Sequence, residues 1–181
     1  MDNVLRMSNI GKCMYDLYMQ HYHGRLPVSQ VIQAVFDEGN RLHELIQARP
    51  EYSKAEKEIA CEIKTCGFTI IGHADIVSVH KVIEIKSISK MPSRPIDWHI
   101  RQVTLYMHAL NKTNGVILYH QKSDGKELSF PVAYSSFLAL ECVGFFEKLH
   151  YHIQAREEPE CFCYKPFVGD YCKLLPPKTW D

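Results

Sequence analysis

The chain has 181 residues, with 21 basic against 21 acidic side chains and a pI near 7.1. That balance excludes a globally basic nucleic-acid coat and an acidic tail, so a charged partner has to be met by a local patch. An apolar fraction of 46% excludes a disordered chain, and a chain of this length buries roughly 70% of its unfolded surface, enough for one core, so a single domain over 1–181 is expected.

Ser8 is placed to cap a first helix in which Ile10, Cys13, Met14, Leu17 and Tyr18 fall at helical spacing and which stops near Gly24. After Pro27 a longer helix follows, with Val31, Ile32, Val35, Phe36, Leu42 and Ile46 as its apolar stripe and Gly39 and His43 at the edge. The period then changes. Ile59, Cys61 and Ile63 alternate with Ala60, Glu62 and Lys64, Cys66-Gly67 supplies a turn, and β-rich runs cover 68–79 and 82–87, a meander of three or four antiparallel strands. Pro92 and Pro95 interrupt the chain. Beyond them 98–110 reads as a helix, and 116–120 and 128–132 as strands joined at Asp124-Gly125. A last helix begins at Ser135 or Ser136 and runs to about Arg156 on a face of Phe137, Leu140, Val143, Phe145 or Phe146, and Leu149.

The tail over 157–181 is rich in proline, carries three cysteines and has no period. This order of elements predicts an α+β or α/β/α fold, a central mixed sheet flanked by helices. The start has no apolar leader segment and no apolar run reaches about 18 residues, so a soluble, cytoplasmic protein without a membrane span is expected. Seven cysteines, an odd number, point in a reducing compartment to a metal, a cluster or core thiols rather than a disulfide framework.

The densest chemical signal is Gly72-His73-Ala74-Asp75, followed after a short turn by Glu84-Ile85-Lys86. On a strand, Glu84 and Lys86 share one face while Ile83 and Ile85 enter the core from the other. If the two runs pair as a hairpin, Asp75, Glu84 and the Ile85 carbonyl offer the oxygen ligands that Mg²⁺ or Mn²⁺ prefers. Lys86 then orients the attacking water or offsets charge on a phosphoryl transition state. Taken alone, an E-x-K triplet is more often the solvent face of a strand.

Four separated segments in order resemble the RecB-like branch of the PD-(D/E)XK nucleases. Gly39-Asn40-Arg41-Leu42-His43 is similar to its G-x-x-x-H helix, Gly72 to Asp75 to its G-x-x-D strand, Glu84-Ile85-Lys86 to its E-x-K, and Gln102-Val103-Thr104-Leu105-Tyr106 to its Q-x-x-x-Y helix. The resemblance implies a restriction-endonuclease-like fold, catalytic Asp75, Glu84 and Lys86, and His43 as a further metal ligand. Gly39, one turn from His43, leaves room beside that imidazole. Trp98, Gln102 and Tyr106 make one stripe suited to stacking and hydrogen bonding with a nucleic-acid strand, or simply to packing. Arg101 belongs to a local excess of positive charge: Lys81, Lys86, Lys90, Arg94, Arg101 and Lys112 against Glu84 and Asp97.

Cys161, Cys163 and Cys172 in the tail, with Cys13 near the start, resemble the one-plus-three partition of the CRISPR-associated Cas-four family. There four cysteines from the two chain ends hold an iron–sulfur cluster, 4Fe–4S in preference to 2Fe–2S. Such a group would staple the termini into one subregion. The spacing departs from the family: the tail has C-x-C, and Met14-Tyr15 follows Cys13 where proline and arginine are common. Four thiolates also suit tetrahedral zinc. Cys61 and Cys142 read as core thiols and Cys66 as a turn residue.

The expectation that follows is a Mn²⁺- or Mg²⁺-dependent DNA exonuclease acting on single-stranded ends. Its implied setting is CRISPR spacer acquisition and antiviral defence with integrase partners, or a phage or plasmid role in recombination, and oligomers are known in the family. Two alternatives remain: a DNA- or partner-binding module that does not cleave, and a zinc-stapled interaction protein.

Overall fold

Helical and strand periods alternate along the computed structural model, which describes residues 4–163 and 169–174. β1 is Val4–Arg6, followed by a single 3-10 turn at Met7–Asn9. Then come α1 (Met14–His23), α2 (Gln30–Gln47), β2 (Glu56–Lys64), β3 (Thr69–Val77), β4 (Lys81–Ile88), α3 (Asp97–Ala109), β5 (Asn114–Gln121), β6 (Glu127–Ala133) and α4 (Ser136–Ala155). Ser29 caps α2 by accepting from the Ile32 amide, and Ser135 caps α4 by accepting from Leu138.

The six strands form one mixed sheet. β2 lies antiparallel to β3 along its length, from Glu56 opposite Val77 to Lys64 opposite Thr69. The other edge of β3 is divided. β1 pairs in parallel with residues 69–71, and β4 pairs antiparallel only at Ile76–Ile83 and Val77–Val82. Residues 72–75 are therefore left without a strand on that side. β4 continues parallel to β5, and β5 turns back antiparallel into β6. Such an interruption in pairing exposes backbone and side chains at one place in a sheet whose faces are otherwise covered.

Both faces of the sheet are packed. Met7, Ile70, Val103, Met107, Tyr119, Phe146 and Leu149 belong to the larger core cluster, which draws on α1, α3 and α4. Ile76, Ile83, Ile85 and Leu118 meet Ile46 of α2 on the opposite face. Each large aliphatic side chain buried this way contributes about 1.5–3 kcal/mol. The helix-flanked mixed sheet is the predicted fold class, with Cys61 and Cys142 buried as core thiols and Cys66 exposed beside Gly67 at φ +102°.

Two expectations are corrected. Helix α1 begins after Cys13, not at Ser8, and the preceding residues form β1 and a turn. The cause is distant in sequence: a Cβ at Gly11, where φ is +82°, would stand 2.5 Å from the Trp98 Cβ, and no continuous helix passes through such a position. The expected antiparallel meander is β2–β3–β4, and α3 then carries the chain over to β5, which lies parallel to β4. Of the apolar stripe on α2, Ile46 is buried and Leu42 packs against the smaller cluster, while Val31, Ile32, Val35 and Phe36 are exposed.

The expected tail at 164–168 and 175–181 lies outside the described residues. What is described of it is tied to α1: the Tyr171 amide donates to Asp16 Oδ1 at 2.8 Å and the Tyr171 hydroxyl to the Gly24 carbonyl at 2.8 Å. Among the described residues no helix is long and apolar enough to cross a membrane.

Candidate functional site

The gap beside residues 72–75 opens into a cavity of about 510 Å³ lined by His43, Asp75, Glu84, Gln102 and Tyr106, among others. Asp75 turns sideways into this gap. Its Oδ2 accepts from the Ile85 amide at 2.6 Å, a side chain standing in for the missing ladder bond. N–H and C=O of one strand residue point to the same side, so the Ile85 carbonyl also faces the gap. Asp75 Oδ1 lies 3.5 Å from His43 Nδ1, one turn and more along α2 from Gly39. The room at Gly39 serves the strand instead of the imidazole: a Cβ there would meet the Ser87 hydroxyl at 3.3 Å.

Glu84 does not sit on a solvent face. It is 2% exposed, and α3, which covers that side of the sheet, supplies its surroundings. Oε1 takes a 2.6 Å ion pair from Lys86 Nζ, whereas Oε2 is buried and has no partner among the described residues. Burial pushes the Glu84 carboxyl up to about 7, against the pull of Lys86. For Lys86, burial acts downward but the Glu84 carboxylate outweighs it, so its pKa is raised and it remains an ammonium. His43 is likewise raised overall: burial lowers it and Asp75 more than compensates.

Lys86 is held from behind. Its Nζ donates to Gln102 Oε1 at 3.0 Å, and Gln102 Nε2 donates to the Tyr106 hydroxyl at 2.7 Å. Both partners are almost fully buried, so their observed contacts are with the lysine and each other. Gly72 allows this arrangement, since a Cβ there would come within 2.7 Å of the Tyr106 ring. Trp98, 37% exposed, lies on the first turn of the same helix and lines a neighbouring cavity. Arg101 does not join either cavity: its guanidinium is bound at 2.7 Å to each of Asp97 and Glu141.

Several lining groups were not legible in the sequence. Glu58, opposite Asp75, adopts φ +51° and breaks the β2–β3 ladder. Its carboxylate accepts from Gln47 Nε2 at 2.5 Å, and that same Nε2 donates to the Asp75 carbonyl at 3.0 Å. The Glu56-Lys57-Glu58 run reads as an ordinary charged strand start, and only the register shows otherwise.

An unpartnered buried carboxylate oxygen is rare in native proteins and calls for a counter-charge. Glu84 Oε2, Asp75 and His43 line one cavity, with the Ile85 backbone at its edge, and their mixed oxygen and imidazole chemistry is of the kind a divalent cation takes.

The four expected cysteines also come together. Sγ atoms of Cys13, Cys161, Cys163 and Cys172 all lie within 4.8 Å of one another, with Cys13–Cys161 at 3.8 Å and Cys163–Cys172 at 3.6 Å. Tyr15, Tyr171 and Leu26 pack around them. Burial drives Cys13 up to about 11, while Cys161 is lowered because the Cys163 amide and neighbouring thiols donate to it despite burial. Four thiolates this crowded ionise together only around a cation. A tetrahedron of Zn–S bonds near 2.3 Å has edges of about 3.8 Å, so the spacing suits one ion. Around a 4Fe–4S cube each sulfur sits on its own iron and the thiols stand wider apart.

No family model matches the chain, and no curated protein matches it significantly. Solved structures do share its fold. The protein SSO0001 superposes with a TM-score of 0.69 at 21% identity, over 83% of this chain and 77% of that one. LHK-Exo in complex with dAMP, an alkaline exonuclease of Laribacter hongkongensis, gives 0.60 at 17% identity over 84% and 91%. A phage-related exonuclease of Haemophilus somnus 129PT gives 0.62 at 12% identity over 87% and 97%. The architecture is thus one that exonucleases use.

Proposed function

We propose that the protein is a metal-dependent deoxyribonuclease of the PD-(D/E)XK type that hydrolyses phosphodiester bonds at single-stranded DNA ends. The observation that carries the reading is Glu84: a buried carboxylate with one oxygen unpartnered among the described residues, next to Asp75 and Lys86, on the cavity beside the gap in β3. His43, Asp75, Glu84 and the Ile85 carbonyl would hold Mn²⁺ or Mg²⁺. A divalent ion there supplies Lewis-acid polarisation of the phosphoryl group and acidifies water.

The chain's own residues do the rest. Lys86 has three N–H donors, two of which point to Glu84 and Gln102, leaving one for a phosphoryl oxygen or the attacking water. As an ammonium it stabilises developing negative charge and orients the water instead of abstracting its proton. Gln102 and Tyr106 fix the direction of Lys86, and Trp98 offers a ring to a base. The four motifs further suggest spacer acquisition beside integrase proteins, or an equivalent phage or plasmid role in recombination. The cysteine site would join the two chain ends around one tetrahedral ion on its spacing, or around an iron–sulfur cluster on the resemblance.

With Mn²⁺, the wild type is expected to release nucleotides from an end-labelled single strand. Lys86→Ala and Asp75→Asn should retain the fold and lose at least about 10²-fold in turnover. Variants that cut like the wild type remove the enzymatic reading. A second reading is favoured by one fact: among the described residues only the cysteines already stand at ligand spacing, the carboxylates being held by Lys86, Ile85 and His43. It is a metal-stapled module that binds DNA without cleaving it, and tight binding with no product under Mn²⁺ would establish it.

A further inference from the structure

We propose that His99 is a substrate-positioning residue whose Nε2–H, fixed in one tautomer by Tyr119, donates to a backbone phosphate of a DNA strand lying beside Lys86. The proposal rests on the nuclease reading for what the strand is, but its binding component can be measured without turnover.

A second cavity, of about 830 Å³, adjoins the first: Ser8 and Gln102 line both. Its two walls differ in charge. The side built by β4 and α3 presents Lys86, Trp98, His99 and Gln102, with no acidic lining residue. The side built by α1 and the tail carries Lys12 against Asp16, Glu160 and Asp170. A polyanionic strand is drawn to the first wall, which leads directly to Lys86.

On that wall the hydrogen bonds determine what His99 can do. The Ile96 amide donates to the Tyr119 hydroxyl oxygen at 3.0 Å, and His99 Nδ1 lies 2.8 Å from the same oxygen. Tyr119 is fully buried and has no other acceptor for its proton among the described residues. The hydroxyl therefore donates to Nδ1, which places the ring proton on Nε2. His99 lines the cavity, and no partner takes its Nε2 among the described residues, so that N–H is the ring's remaining donor for a molecule in the cavity.

Burial, reinforced by the Lys86 ammonium, holds the ring down to about 3, so it stays neutral. A neutral donor suits this place. A second cation next to Lys86 would be repelled, whereas an N–H gives a directed, charge-assisted hydrogen bond to a phosphate oxygen. Trp98, whose ring meets His99 edge-on at 5.7 Å, stands alongside for the adjoining base.

The test uses the full chain and a 5′-fluorescein single-stranded oligonucleotide, with binding read by anisotropy without divalent ion and turnover read with Mn²⁺. His99→Leu is expected to raise Kd and KM about tenfold or more while kcat stays near the wild-type value; His99→Gln, which keeps a donor at the Nε2 position, should recover most of that loss. A single neutral methylphosphonate next to the scissile linkage should weaken wild-type binding by a similar factor and leave His99→Leu unaffected. The wild-type scan over linkages needs no variant, so it stands even if His99→Leu unfolds. Equal Kd and KM for wild type and His99→Leu, or no sensitive linkage, would overturn the proposal while leaving the nuclease reading intact. Binding that depends on His99 without any cleavage would retain the groove and remove the nuclease reading.

Discussion

Glu84 has the most consequential pKa in the molecule. Its carboxyl is raised from 4.5 to about 7, so between those values the metal-free fold holds a proton that the unfolded chain has released. This group's contribution to stability is thus present at low pH and lost as pH rises toward 7. A divalent ion needs the ionised form and competes with that proton. The Mn²⁺-induced rise in Tm should therefore grow from about pH 6 to about pH 8, and a flat profile would mean that Glu84 is not a ligand. Asp75 separates two roles in one side chain. Asp75→Asn keeps an acceptor for the Ile85 amide and should change Tm by little while abolishing the Mn²⁺ response. Asp75→Ala removes that acceptor as well and should cost about 1–3 kcal/mol in denaturant unfolding.

At the level of elements, the site depends on β3 having two partners on one edge, and Gly72 is where α3 closes over that gap. Gly72→Ala would place a Cβ 2.7 Å from the Tyr106 ring and 3.0 Å from Met7 Sδ, so a loss of about 1–3 kcal/mol is expected, with reduced turnover as Tyr106 withdraws from Gln102. Gly125→Ala, at φ +70° with open space around it, should lower stability modestly and leave turnover unchanged. The hairpin carrying Asp75, Glu84 and Lys86 was legible because strand alternation and turn residues are local signals. The start of α1 was not, because it is decided by Gly11 meeting Trp98 across the fold. Glu58 and His99 were hidden for the same reason: a ladder break and a tautomer arise only from partners on other elements. The α2 stripe shows the converse, a helical period read correctly while the packing partner it implied is not found for Val31, Ile32, Val35 and Phe36 among the described residues.

Over the whole molecule, the cysteine site and the sheet site are separate centres linked by the larger cavity, and Cys13 at the entry to α1 joins the tail to the rest. Cys172→Ser should lower Tm and release the tail contacts of Tyr171 while leaving the Mn²⁺ response proposed for Asp75 in place. Metal analysis should give about one zinc per chain on the observed sulfur spacing, and a brown protein rich in iron would mean that the thiols spread around a cluster. The measurement that bears most directly on the sheet site is anomalous diffraction from crystals soaked in Mn²⁺. A peak in the cavity between Asp75, Glu84 and His43, absent from Asp75→Asn crystals, is the expected result. No peak there, or a peak at the four cysteines alone, would contradict it.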